Sequence, residues 1–275
     1  MADERMNPDE TMAEQAFLRV RDLQAGFGGR VLMREVNFDV HAGEIFCILG
    51  GSGSGKSTLL RVLMGLKEPQ AGRVFYGGEN FWAGDEESRR GIMRGTGVLF
   101  QGGALWSSMT LVENVELVLQ QHTDMNAEDT RAQAVLKLAL AGLAGFEDYY
   151  PSEISGGMRK RAGLARALAL DPRILFLDEP SAGLDPVSGR MLDDLVLELR
   201  ATLKATFVIV SHELQSIFAI ADNCIYLDAA SRRVTARGRP TELVRDPATE
   251  GNALRFLTRG ADRGAERDWH EITAV

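Results

Sequence analysis

Residues 45–60 read Ile45-Phe46-Cys47-Ile48-Leu49-Gly50-Gly51-Ser52-Gly53-Ser54-Gly55-Lys56-Ser57-Thr58-Leu59-Leu60. An apolar run without alternation passes into a glycine-rich turn, and the turn passes into a pattern with an apolar helical face. A strand that is apolar on both sides belongs between two layers of helices. The helix that follows offers its positive end and unpaired N–H groups to whatever fills the turn. The spacing Gly50-x-x-x-x-Gly55-Lys56-Ser57 is that of a phosphate-binding P-loop. Small residues let the backbone wrap phosphate oxygens, Lys56 neutralises the β and γ charge, and Ser57 sets a hydroxyl on Mg²⁺. Gly50, Gly51, Ser52, Gly53, Ser54, Gly55, Lys56, Ser57 and Thr58 are therefore the candidate nucleotide-binding residues, with ATP and Mg²⁺ as the expected cofactors.

The same two-sided apolar character recurs at 174–177 and 207–210, so the sheet centre is expected to be parallel. Strand-like runs also occupy 17–21, 73–76, 97–101 and 224–227. Those at 18–21 and 233–237 alternate with arginine, which predicts antiparallel edge strands with one wet face. Helical periods occupy 57–66, 111–121, 127–141, 158–170, 186–203 and 214–221, with Pro186 at a first position where its missing N–H costs nothing. Three of these helices fall between Thr110 and Leu170 with no strand among them, so about 103–170 reads as a separate helical lobe. The expected fold is an α/β P-loop core, a mainly parallel sheet flanked by helices, with an antiparallel β subdomain and an inserted helical subdomain. A polar extension at 1–15, a nucleotide-binding domain at 16–247 and an extension at 248–275 complete the organisation. The charged, glycine-containing tail beyond Thr258 is expected to be mobile, with Trp269 and Ile272 able to dock on a neighbouring subunit.

At 275 residues the chain has room for one large domain and a lobe, and a net charge of −8 argues against a broad nucleic-acid surface. The opening ten residues are polar and acidic and lack the basic start and apolar core of a secretory signal, which points to the cytoplasm. No apolar run approaches the roughly 20 residues that cross a bilayer. Cys47 and Cys224 lie in apolar runs and read as small buried hydrophobes.

A second glycine-rich turn, Ser155-Gly156-Gly157-Met158, stands ahead of a helix and offers another set of backbone N–H groups to phosphate. With the first loop it describes two half-sites for one nucleotide, and so a dimer that closes on ATP. Ile174-Leu175-Phe176-Leu177-Asp178-Glu179 ends an apolar strand in two carboxylates. Asp178 can hold Mg²⁺ and Glu179 can activate the attacking water, although such a pair taken alone also reads as a solvated strand end. Gln101 could reach the metal and the lytic water, and His212 the γ-phosphate; a lone histidine is more often a surface or capping residue.

These residues, in this order, resemble the ATP-binding subunit of an ABC transporter over roughly residues 17–245. The matching pieces are the Walker A loop from Gly50 to Thr58, the Q-loop Gln101, the signature Ile154-Ser155-Gly156-Gly157-Met158, the Walker B run with Asp178 and Glu179, the D-loop Ser181-Ala182-Gly183-Leu184-Asp185, and His212. The resemblance implies that Lys56, Gln101, Glu179 and His212 serve hydrolysis and that Ser57, Gln101 and Asp178 hold the metal. It also implies that Ser155, Gly156, Gly157 and Asp185 complete the partner's ATP site, and that the adenine stacks on Phe27, which otherwise reads as a core aromatic. Gly51 stands where transporters often carry proline. Met158, in place of the usual glutamine, and Gly103-Ala104-Leu105 after the Q-loop resemble the Mla/Mce group, which moves phospholipids between bacterial envelope membranes. That likeness implies a homodimer at the cytoplasmic face of the inner membrane. Its implied partners are integral membrane permease subunits and Mce-type and small accessory subunits, with no nucleic acid. An ATPase for another solute or drug, or one acting on nucleic acid or the ribosome, is the competing expectation.

Overall fold

The computed structural model describes residues 16–249 and 251–260, so the segment carrying Trp269 and Ile272 and the extension at 1–15 lie outside it. Its central sheet has six strands in the order β10-β9-β3-β8-β7-β6: β3 (Ile45–Leu49), β6 (Thr96–Leu99), β7 (Ile174–Asp178), β8 (Thr206–Val210), β9 (Asn223–Asp228) and β10 (Arg233–Gly238). All neighbours pair in parallel except β10, which runs antiparallel along the edge of β9. The parallel centre expected from the apolar runs is present.

Alternation inside the buried strands sorts their side chains between two cores. Ile45, Cys47, Leu49, Leu175, Leu177, Phe207 and Ile209 join one core, with α3 (Leu111–His122), α4 (Ala127–Leu140), α5 (Gly156–Ala167), α6 (Pro186–Leu203) and α7 (Leu214–Ile220). The intervening Phe46, Ile48, Phe176, Val208 and Val210 face a second core that holds α1 (Lys56–Leu63). Successive residues of a strand point to opposite faces, so a strand covered on both sides needs apolar residues at every position. Phe38 stacks on Phe46 with centroids 5.2 Å apart and thereby joins the second core to a four-stranded antiparallel sheet.

That sheet has the order β2-β1-β4-β5, from β1 (Ala16–Phe27), β2 (Arg30–His41), β4 (Ala71–Tyr76) and β5 (Glu79–Asn80). Here the structure corrects the edge assignment: β1 lies between β2 and β4, and β10 alone of the two is an edge strand. The arginines of β1 mark a wet face, which a central strand of a one-sided sheet also has. The length of β1 and the whole of β2 are further departures. Buried positions on β1 run Leu18, Val20, then Leu23, Ala25, and on β2 they run Met33, then Val36, Phe38, Val40. Each slip falls at a left-handed residue, Asp22 at φ 50° and Glu35 at φ 53°, and the bulges break the period-two signal. A charged helix with no buried residue, α2 (Glu86–Arg94), precedes β6, and two short helices, α8 (Pro240–Arg245) and α9 (Gly251–Leu257), follow β10.

Candidate functional site

All five parallel strands end on one rim of the sheet, the carboxyl edge at which open α/β sheets bind ligands. Ile48 and Asp178 both pair with Val210, so the turns that leave β3, β7 and β8 begin level with one another. Gly50, Glu179 and His212 lie within two residues of those ends.

The P-loop leaves β3 at Gly50, whose φ of 155° and missing side chain are both required: a Cβ there would stand 2.5 Å from the Leu227 carbonyl oxygen. Gly55 caps α1 at φ 98°, where a Cβ would meet Met33 Cε at 2.7 Å, so β2 presses on the loop from the antiparallel sheet. Lys56 turns back onto the loop, its Nζ donating to the carbonyls of Gly50 at 2.8 Å and Gly51 at 3.2 Å. Burial lowers its pKa from the ordinary lysine value, opposed by the carboxylates of Glu179 and Asp178. Burial raises that of Asp178, opposed first by Arg61 and then by a hydrogen bond from the Ser57 hydroxyl.

Asp178 Oδ1 is buried and has no hydrogen-bond partner, and neither has the buried Ser54 hydroxyl. Among the described residues no three or more His, Cys, Asp or Glu side chains group as a metal cage. Magnesium held through substrate phosphates and waters needs only one or two protein oxygens. Ser57 and Asp178, in contact with each other and with one carboxylate oxygen to spare, fit that requirement.

Glu179 has φ 49°, a strained conformation for a residue with a side chain, fixed by its N–H donating to Val210 O at 2.8 Å. Its Oε2 lies 2.6 Å from His212 Nδ1. An ionised carboxylate can only accept, so the imidazole nitrogen donates. The structure thus unites Glu179 and His212, which the sequence offered as separate candidates. Gln101 stands at an exposed turn after β6. Phe27 is 48 % exposed at the end of β1 with Lys67 Nζ 4.1 Å from its ring centre, so it is no core aromatic.

Ser155 caps α5, its hydroxyl accepting from Met158 N at 3.2 Å, and it is exposed while Gly156 and Gly157 at this end of the helix are half-buried. A Cβ at Gly157 would stand 3.2 Å from that of Ser188, so the start of α6 backs this turn. Asp185 spends its carboxylate capping α6, accepting from Ser188 Oγ at 2.5 Å and from the N–H groups of Val187 and Ser188; these bonds hold its pKa below the ordinary carboxylate value. Two residues escaped sequence reasoning. Fully buried Asn114 on α3 accepts from Trp106 N at 2.7 Å and donates to the carbonyls of Trp106, Met109 and Thr110, fixing the turn that exposes Trp106. Lys160 is buried on α5, and its one mark in the sequence is Leu164 one turn further along the same face.

Strand, phosphate loop, helix and a carboxylate pair at the end of β7, one strand removed from β3 across β8, define a P-loop nucleotide-binding domain. A sequence profile described as ABC transporter matches residues 33–182, and the chain belongs to that family as an ABC ATP-binding domain. It is 41% identical over 215 residues to the probable ribonucleotide transport ATP-binding protein mkl of Mycobacterium leprae, covering 78% of this chain and 62% of that protein. It is 36% identical over 243 residues to the intermembrane phospholipid transport system ATP-binding protein MlaF of Escherichia coli K12, covering 88% of this chain and 89% of that one. The chain therefore spans less than two thirds of the mkl proteins, 62% in Mycobacterium leprae and 57% in Mycobacterium tuberculosis. Among solved structures, the ATP-binding cassette MJ0796, a dimer in a post-hydrolysis state with ADP and Pi, is 30% identical with a TM-score of 0.72, covering 81% of this chain and 98% of that one. Another, cbiO1 from Clostridium perfringens, described as part of the ABC transporter complex cbiONQ, is 26% identical with a TM-score of 0.77, covering 85% and 92%. No described helix is long and apolar enough to cross a membrane.

Proposed function

We propose that this chain is the ATP-hydrolysing subunit of a transporter that moves phospholipid or a related lipid across the bacterial envelope. The observation that carries the chemistry is the Glu179–His212 pair at 2.6 Å, on the same rim as Lys56 and Asp178. Two copies pack about a two-fold axis, so that the P-loop of one and Ser155, Gly156 and Gly157 of the other enclose each ATP. The dimeric, nucleotide-bound state of the MJ0796 relative supports this arrangement. Asp185 lies beside the enclosing turn through its bond to Ser188.

On binding, Lys56 exchanges the carbonyls of Gly50 and Gly51 for phosphate oxygens, while the α1 N–H groups face the same charge. Ser57 and Asp178, with Gln101 nearby, would hold Mg²⁺, which would supply neutralisation of phosphate charge there. His212 passes from Glu179 to the γ-phosphate oxygens, leaving the Glu179 carboxylate free to take a proton from the attacking water. The base stacks on Phe27 in place of Lys67. The 103–170 lobe passes closure to integral permease subunits at the inner membrane's cytoplasmic face, with Mce-type and small accessory subunits completing the complex.

The lipid cargo is supported by the name of the MlaF relative, by Met158 and by Gly103-Ala104-Leu105. Purifying the complex from its host membrane and identifying copurified subunits and lipid by mass spectrometry tests it. Phospholipid carried by an Mce-type partner is the expected result. The mkl name favours a second reading, a nucleotide-type solute, and a permease that arrives without lipid or Mce-type protein would support it.

A further inference from the structure

Three consecutive cations begin α5, and the fold sends them to different places. Arg159 reaches Ile154 O at 2.7 Å and Arg161 reaches Gly142 O at 2.9 Å, both within the helical lobe. Lys160 instead turns inward and is 7% exposed. Its Nζ donates to the main-chain carbonyl of Gln101 and, at 3.3 Å, to that of Glu179. Burial lowers its pKa from the ordinary lysine value, and the carboxylates of Asp178 and Glu179 oppose that fall. A buried ammonium is costly, and an unbranched apolar side chain would fill the same space without that cost. The two carbonyls that offset it belong to the turns that carry the candidate lytic residues.

We propose that Lys160 is a positioning residue that couples the two half-sites of a subunit, tying the helix that caps the partner's ATP to the Gln101 and Glu179 turns of its own. The inference rests on the two-copy reading above. Ser155 and Lys160 are five residues apart on one helix, about 7.5 Å along its axis, so a displacement at the phosphate-facing end is delivered to Nζ. The Glu179 peptide is the responsive end, because its φ of 49° is maintained only by its surroundings. Closure on one nucleotide thereby sets Glu179 and Gln101 at the other, and hydrolysis is cooperative in ATP.

The test compares full-length wild type, Lys160→Met and Lys160→Arg by steady-state ATPase against ATP concentration, with thermal melting alongside. Lys160→Met is expected to lower kcat about tenfold, the weight of a charged hydrogen bond, to leave KM within about twofold, and to bring the Hill coefficient to about one. Lys160→Arg, which keeps the charge, is expected to recover most of the rate and the cooperativity. A wild type without cooperativity, or a folded Lys160→Met with wild-type kcat and Hill coefficient, overturns the proposal. So does a Lys160→Arg variant that melts like the wild type yet turns over like Lys160→Met. Should Lys160→Met fail to fold, Lys160→Arg decides alone by its Hill coefficient. Glu179→Gln separates the two levels: normal turnover in that variant removes the catalytic reading itself, whereas its inactivity beside a wild-type-like Lys160→Met removes only the coupling.

Discussion

The phosphate loop and the signature turn are both glycine-rich entries to helices, yet the fold treats them oppositely. Around Gly50–Lys56 both ends of the loop are pressed from within the chain, by β9 on Gly50 and β2 on Gly55, and Lys56 is held by the loop's own carbonyls, while Ser52 and Gly53 at its crest stay exposed. Around Ser155–Gly157 no strand presses on the turn: Leu184 and Ser188 back the half-buried Gly156 and Gly157, and Ser155 is exposed. One site is preorganised within the chain and needs little reorganisation on binding; in the proposed dimer the other is completed by a partner's nucleotide. On the proposed reading, two surfaces supported so differently make nucleotide capture and nucleotide enclosure separable functions of this subunit.

Removing the proposed lytic base breaks the comparison hardest, because it leaves both surfaces intact while stopping chemistry. Glu179→Gln is expected to cut turnover by at least about 10²-fold, the contribution of a positioned base, with ATP binding and ATP-driven dimerisation retained. ATPase assay and light scattering on the same sample check it, and a variant with near-normal turnover defeats the assignment. The signature turn gives the next largest effect. Gly157→Val puts a branched side chain against Ser188, where even a Cβ has only 3.2 Å, and should weaken ATP-driven dimerisation about tenfold or more. Binding of ATP to the monomer, measured by calorimetry, should stay within about threefold, or some 0.7 kcal/mol. A parallel loss of both would show that the two regions are one unit.

The same contrast governs what the sequence revealed. A preorganised site is built from short-range pattern, and the two-sided apolar runs of β3, β7 and β8 with the glycine spacing between Gly50 and Gly55 announce it directly. Long-range features left weaker marks. Pattern alone shortens β1 and misses β2, because Asp22 and Glu35 shift the alternation by one residue at paired bulges, which only the partner strand explains. Glu179 and His212 are 33 residues apart, so their bond follows from the register of β7 on β8. Lys160 sits inside a basic run that reads as a solvated face, and only helical phase relative to Leu164 singles it out. The wet face of β1 resembled an edge because alternation reports coverage of a strand, not its place in the sheet.

The smallest expected effect concerns α6, whose first turn backs the signature turn. Asp193 lies five residues beyond Ser188 on α6, and burial, against a hydrogen bond from Ser216, raises its pKa from 3.8 to about 6. The folded protein thus binds this proton more tightly than the unfolded chain. Its contribution is fully present below pH 3.8 and is lost as pH rises through about 6, so at pH 7.5 the charge destabilises the fold. Partial exposure screens the cost to about 1 kcal/mol, roughly 3 °C in melting temperature for a domain of this size. Asp193→Asn should therefore melt higher than wild type at pH 7.5 and equal to it near pH 4, with ATP affinity at the P-loop unchanged. Identical pH profiles for the two proteins would show that α6 carries no such charge penalty. A stability gain accompanied by weaker ATP binding would instead show that a change within α6 is felt at the phosphate loop, and that the two regions are less separable than their geometry implies.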